Sequence, residues 1–517
     1  MNQPLDINIG YEGRDSSGVP IFVGRFAAQV GANDALKLAS LGVDIPLSGS
    51  AEVMAEVIVR DTTQILITST LAGIALALPE PIGKTAAEKT PLSVMFEIDG
   101  DTPVDVFWQG RASARGYRRA GNLVGGTLDL TPRTSAPVML DETVEEGFYL
   151  TGYLPSLDVD QWLGKFDIQG LYNNTERSNS RLSIEALVFD SVRFGGAEIG
   201  ALNLDLTPFD GWDMLGINAD WLDAELTLVH GDGTADLIIN TVDLDKLPKL
   251  GAMGGTPKPP RFSKPLSVVI ANLQLADKSV GAASFLLSSD ERQLRVYDIR
   301  GQLAAAELLE GTELIWRVGE GEQTETLLTL NSRYDDFGDT LDALELARIV
   351  DTRAGTASAD LHWAGNPSDL ALSSLQGDVS VSMKNGAFLP APAGATGALK
   401  ILSLLNLVDL FNRANITQLF DAGVTFERAK GQFLFDKGQL SIPGFKVDGS
   451  GGEFKFISDI DLMNEQINGD LIVTLPLVNN VPWVAALAGG LPIAAGAFLV
   501  SKIFEDQFKT LTSAVYS

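Results

Sequence analysis

Cysteine is absent from the 517 residues, and histidine occurs only twice. The first absence excludes disulfides, thiol nucleophiles and thiolate metal sites in one step. The two histidines, His230 and His362, stand far apart, each beside a turn or strand end with no second ligand close in sequence. Each reads as a solvated or packed histidine rather than a catalytic one, and no metal or cofactor is expected. Basic residues are scarce too: 38 Lys and Arg face 67 Asp and Glu, for a net charge of −29. Such a surface repels nucleic acid and anionic membranes, so no nucleic-acid partner is expected. It favours solubility in a chain that carries much apolar surface.

Familiar catalytic signatures are missing as well. There is no Gly-x-Ser-x-Gly elbow and no His-Glu-x-x-His pair. Gly83-Lys84-Thr85 invites a phosphate-loop reading, but the first glycine of that motif would fall at Leu78, with Pro79 and Pro81 beside it. The acidic pairs Asp158/Asp160 and Asp335/Asp336 lack calcium-loop spacing and are expected by chance in so acidic a chain. These absences argue against an enzyme. Arg111, Arg115, Arg118 and Arg119, near Phe107 and Trp108, form the one positive island. They suit either a headgroup phosphate or a strand edge protected by its charges. The N-terminal stretch has neither a basic nor an apolar leader region, so the expectation is a cytosolic chain or one that begins partway through a longer protein.

What is present is alternation. Leu202-Asn203-Leu204-Asp205-Leu206, Leu237-Ile238-Ile239-Asn240, Ser380-Val381-Ser382-Met383 and Phe454-Lys455-Phe456 all repeat with period two. Turn residues such as Asn385-Gly386 and Asp436-Lys437-Gly438 punctuate them. The expectation is a mainly β chain of about 25 strands, an antiparallel meander with one wet and one apolar face. At about 4.8 Å per strand such a sheet is on the order of 100 Å long, and its twist coils it into an open hydrophobic groove. Two or three separate sandwiches are the alternative. The groove is expected to run through 1–395, with a long loop at 251–261 and a short helix at 339–350 carrying Leu341, Leu344, Leu346 and Ile349. An amphipathic helix over 396–420 docks on it, and 421–478 supplies the last strands. The segment 479–517 holds twenty uncharged residues, Val481 to Val500, long enough to span a bilayer. Pro482, Pro492 and Gly489-Gly490 break it, which suits a helical hairpin capping the groove or touching a membrane.

Several stretches resemble a known family. Residues 67–84 (ITSTLAGIALALPEPIGK), 157–163 (LDVDQWL), 363–370 (WAGNPSDL), 375–379 (LQGDV), 384–386 (KNG), 402–407 (LSLLNL), 426–433 (FERAKGQF) and 487–497 (LAGGLPIAAGA) are similar, in order, to the YhdP group of the AsmA-like superfamily. The resemblance implies a membrane-anchored groove that moves phospholipids between the inner and outer membranes of a Gram-negative envelope. Its partners would be phospholipids, the two membranes and other envelope proteins at its ends. Family members are longer and start with a transmembrane helix, so the resemblance implies that this chain is the distal portion. The related TamB-like group offers the alternative of a periplasmic scaffold for outer-membrane biogenesis.

The conduit reading needs no catalytic residue. Its expected lining is Phe433, Phe435, Leu440, Ile442, Phe454, Phe456, Leu471, Val473 and Leu475, all one-face positions in the last strands. Alternation does not separate lining from a closed core, so both remain open for these nine. Trp483, Leu487, Leu491 and Phe498 are the expected membrane contacts.

Overall fold

The computed structural model describes residues 6–14, 19–32, 34, 46–98, 102–119, 122–136, 147–163, 182–194, 197–230, 235–247, 259, 265–290, 292–319, 323–389, 424–449, 452–464, 466–476 and 511–516. Within these the chain is mainly β, with strands throughout and two short α-helices. It divides into two compact units, in the main residues 1–237 and 256–517. The expected helix over 396–420 and the membrane contacts Trp483, Leu487, Leu491 and Phe498 lie outside the described residues. So does the expected loop at 251–261, apart from Pro259.

The first unit contains β1 (Asp6–Arg14), β2 (Pro20–Gly31), β3 (Leu47–Val59), β4 (Thr63–Ser69), β5 (Ile74–Leu76), β6 (Leu92–Glu97), β7 (Val104–Trp108) and β8 (Ala112–Arg119). It continues with β9 (Asn122–Asp129), β10 (Gly147–Leu154), β11 (Leu157–Asp158), α1 (Val159–Leu163), β12 (Leu182–Phe194), β13 (Ala197–Phe209), β14 (Trp212–Ala219) and β15 (Leu222–Val229). The unit boundary falls within β16 (Ala235–Asp243). Neighbouring strands pair in chain order, with β5 set aside onto the start of β3 and β11 onto β12. Where alternation had suggested antiparallel pairing throughout, β9–β10 and β10–β12 are parallel. Tight turns can join only antiparallel neighbours, and the connections 130–146 and 155–181 have the length of a crossover.

The second unit contains β17 (Leu266–Leu275), β18 (Lys278–Ser289), β19 (Gln293–Leu303), β20 (Ala306–Leu308), β21 (Glu313–Val318), β22 (Thr324–Tyr334) and α2 (Phe337–Ala343). After these come β23 (Val350–Asp351), β24 (Ala354–Ala364), β25 (Gln376–Phe388), β26 (Val424–Asp436), β27 (Gln439–Gly449), β28 (Gly452–Asp461), β29 (Gln466–Pro476) and β30 (Leu511–Tyr516). The pairings are antiparallel, and the short β20 and β23 fill the ends of longer neighbours. Turn chemistry works as read: Lys437 and Gly438 take φ +49° and +90°, the left-handed pair that closes a two-residue hairpin between β26 and β27. Pro443 sits where the β27–β28 register shifts between Ile442 and Phe445, a bulge that spares it from breaking a ladder bond.

The helix expected at 339–350 is corrected to Phe337–Ala343. Asp336 caps its start, accepting from Gly338 N, and Glu345 turns left-handed at φ +58°, which ends it. Leu346 and Ile349 therefore reach the apolar cluster from a loop, while Val350 begins β23. Four carboxylates hold that loop through one guanidinium: Arg348 bonds Asp336, Asp339 (2.7 Å), Asp342 (2.8 Å) and Asp351 (2.6 Å). Of the pair Asp335/Asp336, Asp336 is thus part of a clip around an arginine.

Candidate functional site

Cross-strand partners face the same side of a sheet, so the register shows which side chains form continuous rows. In the first unit one row runs Phe26, Ala55, Ile67, Val94, Val106, Ala114, Leu128, Leu150, Ile184, Leu206, Leu215 and Leu226. In the second unit another runs Leu266, Leu287, Val296, Leu314, Leu328, Leu361, Gly377, Phe435, Leu440, Ile460 and Ile467. No polar side chain interrupts either row. We call these rows lanes.

The lanes are unevenly covered. In the first unit every lane residue is half-buried except Leu128, which is exposed. In the second unit Leu266, Leu287, Val296, Leu314, Leu328 and Leu361 are half-buried, whereas Leu440 and Ile460 are fully buried. The opposite face carries charge. Arg295–Glu313, Arg317–Glu325 and Arg333–Glu307 bridge neighbouring strands there, as Arg25–Glu56 and Arg115–Asp105 do in the first unit. Apart from the more buried Arg115–Asp105, such exposed pairs add little stability but fix which face is wet.

The expected lining residues are brought together on the lane face of β26–β29. Leu440, Ile442, Phe454, Phe456, Leu471 and Val473 are buried in one cluster, and Phe433 and Phe435 pack against it. Phe454 pairs with Val473 and Phe456 with Leu471, while Phe445 lies 5.9 Å from Phe433 and 6.2 Å from Phe388, ring to ring. The backbone of Leu475 pairs with Thr512. The half-buried leucines and valines of β17–β24 were not singled out in the sequence. Their strands alternate, but alternation does not tell which residues of distant strands share a row.

The positive island is not a strand edge, because β8 lies between β7 and β9. Arg115 forks onto Asp105 at 2.7 and 2.9 Å. Arg111 donates to Pro81 O, to Gly83 O at 2.8 Å and to Glu88 at 2.6 Å, drawing the 70–91 loop against the strand. Lys84 of that loop is buried with Nζ on the carbonyls of Leu71 (2.8 Å), Ile74 (2.8 Å) and Thr85 (3.0 Å), and burial lowers its pKa. A side chain on Gly83 would meet Leu78 O at 2.1 Å, so the tight turn requires glycine. Ile82 packs on the lane face among Leu150, Leu154 and Phe189, and Trp162 of α1 donates to Glu80 O at 3.4 Å. Two of the family-like stretches, 67–84 and 157–163, thus meet on one rim. His230 lies 2.9 Å from Asp213 and His362 is exposed; neither joins a metal-binding group among the described residues.

Among the described residues no helix is long and apolar enough to cross a membrane. No curated protein and no solved structure matches the chain. The family model described as YhdP protein matches residues 24–517, and the chain belongs to that family of bacterial envelope proteins.

Proposed function

We propose that this chain is a non-catalytic lipid conduit, sheltering phospholipid acyl chains in an open groove during transfer between the inner and outer membranes of a Gram-negative envelope. One observation carries the reading: apolar rows that continue strand after strand while staying half-buried, backed by a charged face. An ordinary core would cover them, and an ordinary surface would break them with polar residues. An acyl chain in water costs about 0.8 kcal/mol per CH₂, and a lane of this kind removes most of that cost. Similar residues at each step give many near-equivalent sites, so a lipid can advance without a deep trap. The nine residues of β26–β29 would meet lipid only at the end of the lane, where packed aromatic rings must yield first.

The scaffold alternative draws on β1. It pairs with β2 alone among the described residues and exposes Ile9 and Tyr11, an edge open to another strand. Native mass spectrometry with lipid extraction on the gently purified chain separates the two. Several phospholipids per chain are expected, and they should fall away in a Leu314→Glu, Leu328→Glu double variant that keeps its β spectrum. A lipid-free, monodisperse chain would overturn the conduit and favour the scaffold.

A further inference from the structure

On β8, Arg115 is matched by Asp105, whereas Arg118 has no carboxylate partner among the described residues. Arg118 donates from Nη2 to Glu97 O at 2.8 Å and to Thr102 Oγ1 at 3.4 Å, and from Nε to Thr102 O at 3.2 Å. All these acceptors are neutral, Nη1 makes none of these bonds, and no carboxylate among the described residues pairs with this guanidinium. Its position is equally unusual. The guanidinium carbon lies 5.6 Å from the centre of the Phe96 ring, and Phe96 pairs with Ile65 on the lane face. Leu123, the exposed partner of Arg118, reaches over Gly116, where a Cβ would stand 2.7 Å from its methyl group. A half-buried cation therefore stands at the margin of an apolar lane, held in place by carbonyls, in a chain whose net charge is −29.

A guanidinium fixed by neutral acceptors keeps its positive charge, and the N–H groups of Nη1 remain to donate to a phosphate oxygen. The apolar floor of Phe96 and Leu123 requires the anion to carry an apolar body. We propose that Arg118 binds the phosphate of a lipid whose acyl chains lie on the lane, so that the headgroup emerges on the rim opposite the 70–91 loop. This rests on the conduit reading.

The full chain would be incubated with vesicles holding equal amounts of a phosphatidylglycerol and the diacylglycerol with the same acyl chains, re-isolated and extracted. The unaltered chain should prefer the phospholipid about tenfold, the scale of one charge-assisted hydrogen bond. Arg118→Gln should bring the two lipids close to parity while diacylglycerol uptake holds. Arg118→Lys, which keeps the charge but loses the bonds that fix its position, should fall between. An unchanged preference in Arg118→Gln would overturn the proposal and leave the lane standing. Uptake of neither lipid would remove the lane and this site together. Displacement of the phospholipid by inorganic phosphate at equal concentration would reassign the site to free phosphate.

Discussion

Within the second unit one row of side chains is covered in two different ways, and the contrast separates folding from function. From Leu266 to Leu361 the row is leucine and valine, half-buried, with Ala357 and Ala359 to one side of it and the buried Trp316 and Trp363 to the other. From Phe435 to Ile467 it is flanked by Phe388, Phe426, Phe433, Phe445, Phe454 and Phe456, whose rings meet across strands and fill the space above the sheet. Gly377 marks the border, at φ +123°, where a Cβ would lie 2.0 Å from Asp360 O. Alternation is the same on both sides. What differs is the packing of aromatic rings against one another across strands, together with the loop after α2, whose Leu346 and Ile349 join the aromatic cluster. The filled half holds the unit together, and the open half keeps an apolar surface available.

Truncation should separate the two halves most strongly. Ile442, with no exposed surface, should cost about 2–5 kcal/mol when changed to Ala, because atoms are lost and a cavity is left. Leu328→Ala, on the half-buried part, should cost about 1 kcal/mol or less, since less area returns to water. Urea midpoints measured side by side give the answer, and equal losses would abolish the distinction between core and lane. Next in size is lipid content: Leu328→Glu should strip bound phospholipid with little change in the midpoint, whereas Ile442→Glu should unfold the unit. Lipid retained by Leu328→Glu would mean that the open half is not the carrying surface.

Arg348 tests how the filled half is kept closed. Its bonds to Asp339, Asp342 and Asp351, together with Asp336, raise its pKa further above the ordinary guanidinium value. In Arg348→Met these carboxylates would repel one another and loosen the loop carrying Leu346 and Ile349. Because the group is partly exposed, the expected loss is about 1 kcal/mol, with faster hydrogen exchange confined to α2, the following loop and β23. Slower or unchanged exchange there would show that the aromatic cluster closes without the clip.

How much of this was legible depended on range. Phe454-Lys455-Phe456 shows its two faces at once, and Asp436-Lys437-Gly438 shows its hairpin. Both are decided within a few residues. The row Leu314, Leu328, Leu361 is decided by the register between successive strands, which the alternation within each strand does not fix. The parallel pairing of β10 depended on where two long connections return. The edge reading of the arginines failed because β8 is paired on both sides, with Arg115 matched by Asp105 and Arg111 held by carbonyls and Glu88. Aromatic residues drew attention to β26–β29 as lining, and the same bulk is what fills that face.

The smallest expected effect concerns the turn that joins β28 to β29, at the closed end of the lane. Asp461 accepts from the side-chain amide of Asn464 at 2.9 Å, from its backbone N–H at 2.9 Å and from Met463 N at 3.0 Å. Those bonds, the Asn464 side chain foremost, pull its carboxyl down to about 2. The unfolded chain binds the proton near 3.9, so the folded state gains from the ionised form at any pH above that value. The gain declines as acid is added and is gone once the pH has fallen through about 2. Asp461→Ala should therefore lower the urea midpoint near neutral pH, and the gap to the unaltered chain should close on acidification through this window. Because the group lies in solvent, the gap should be small and should also shrink in high salt. A gap that persists below the folded pKa would mean that the Asp461 side chain holds the turn through contacts that do not depend on its charge.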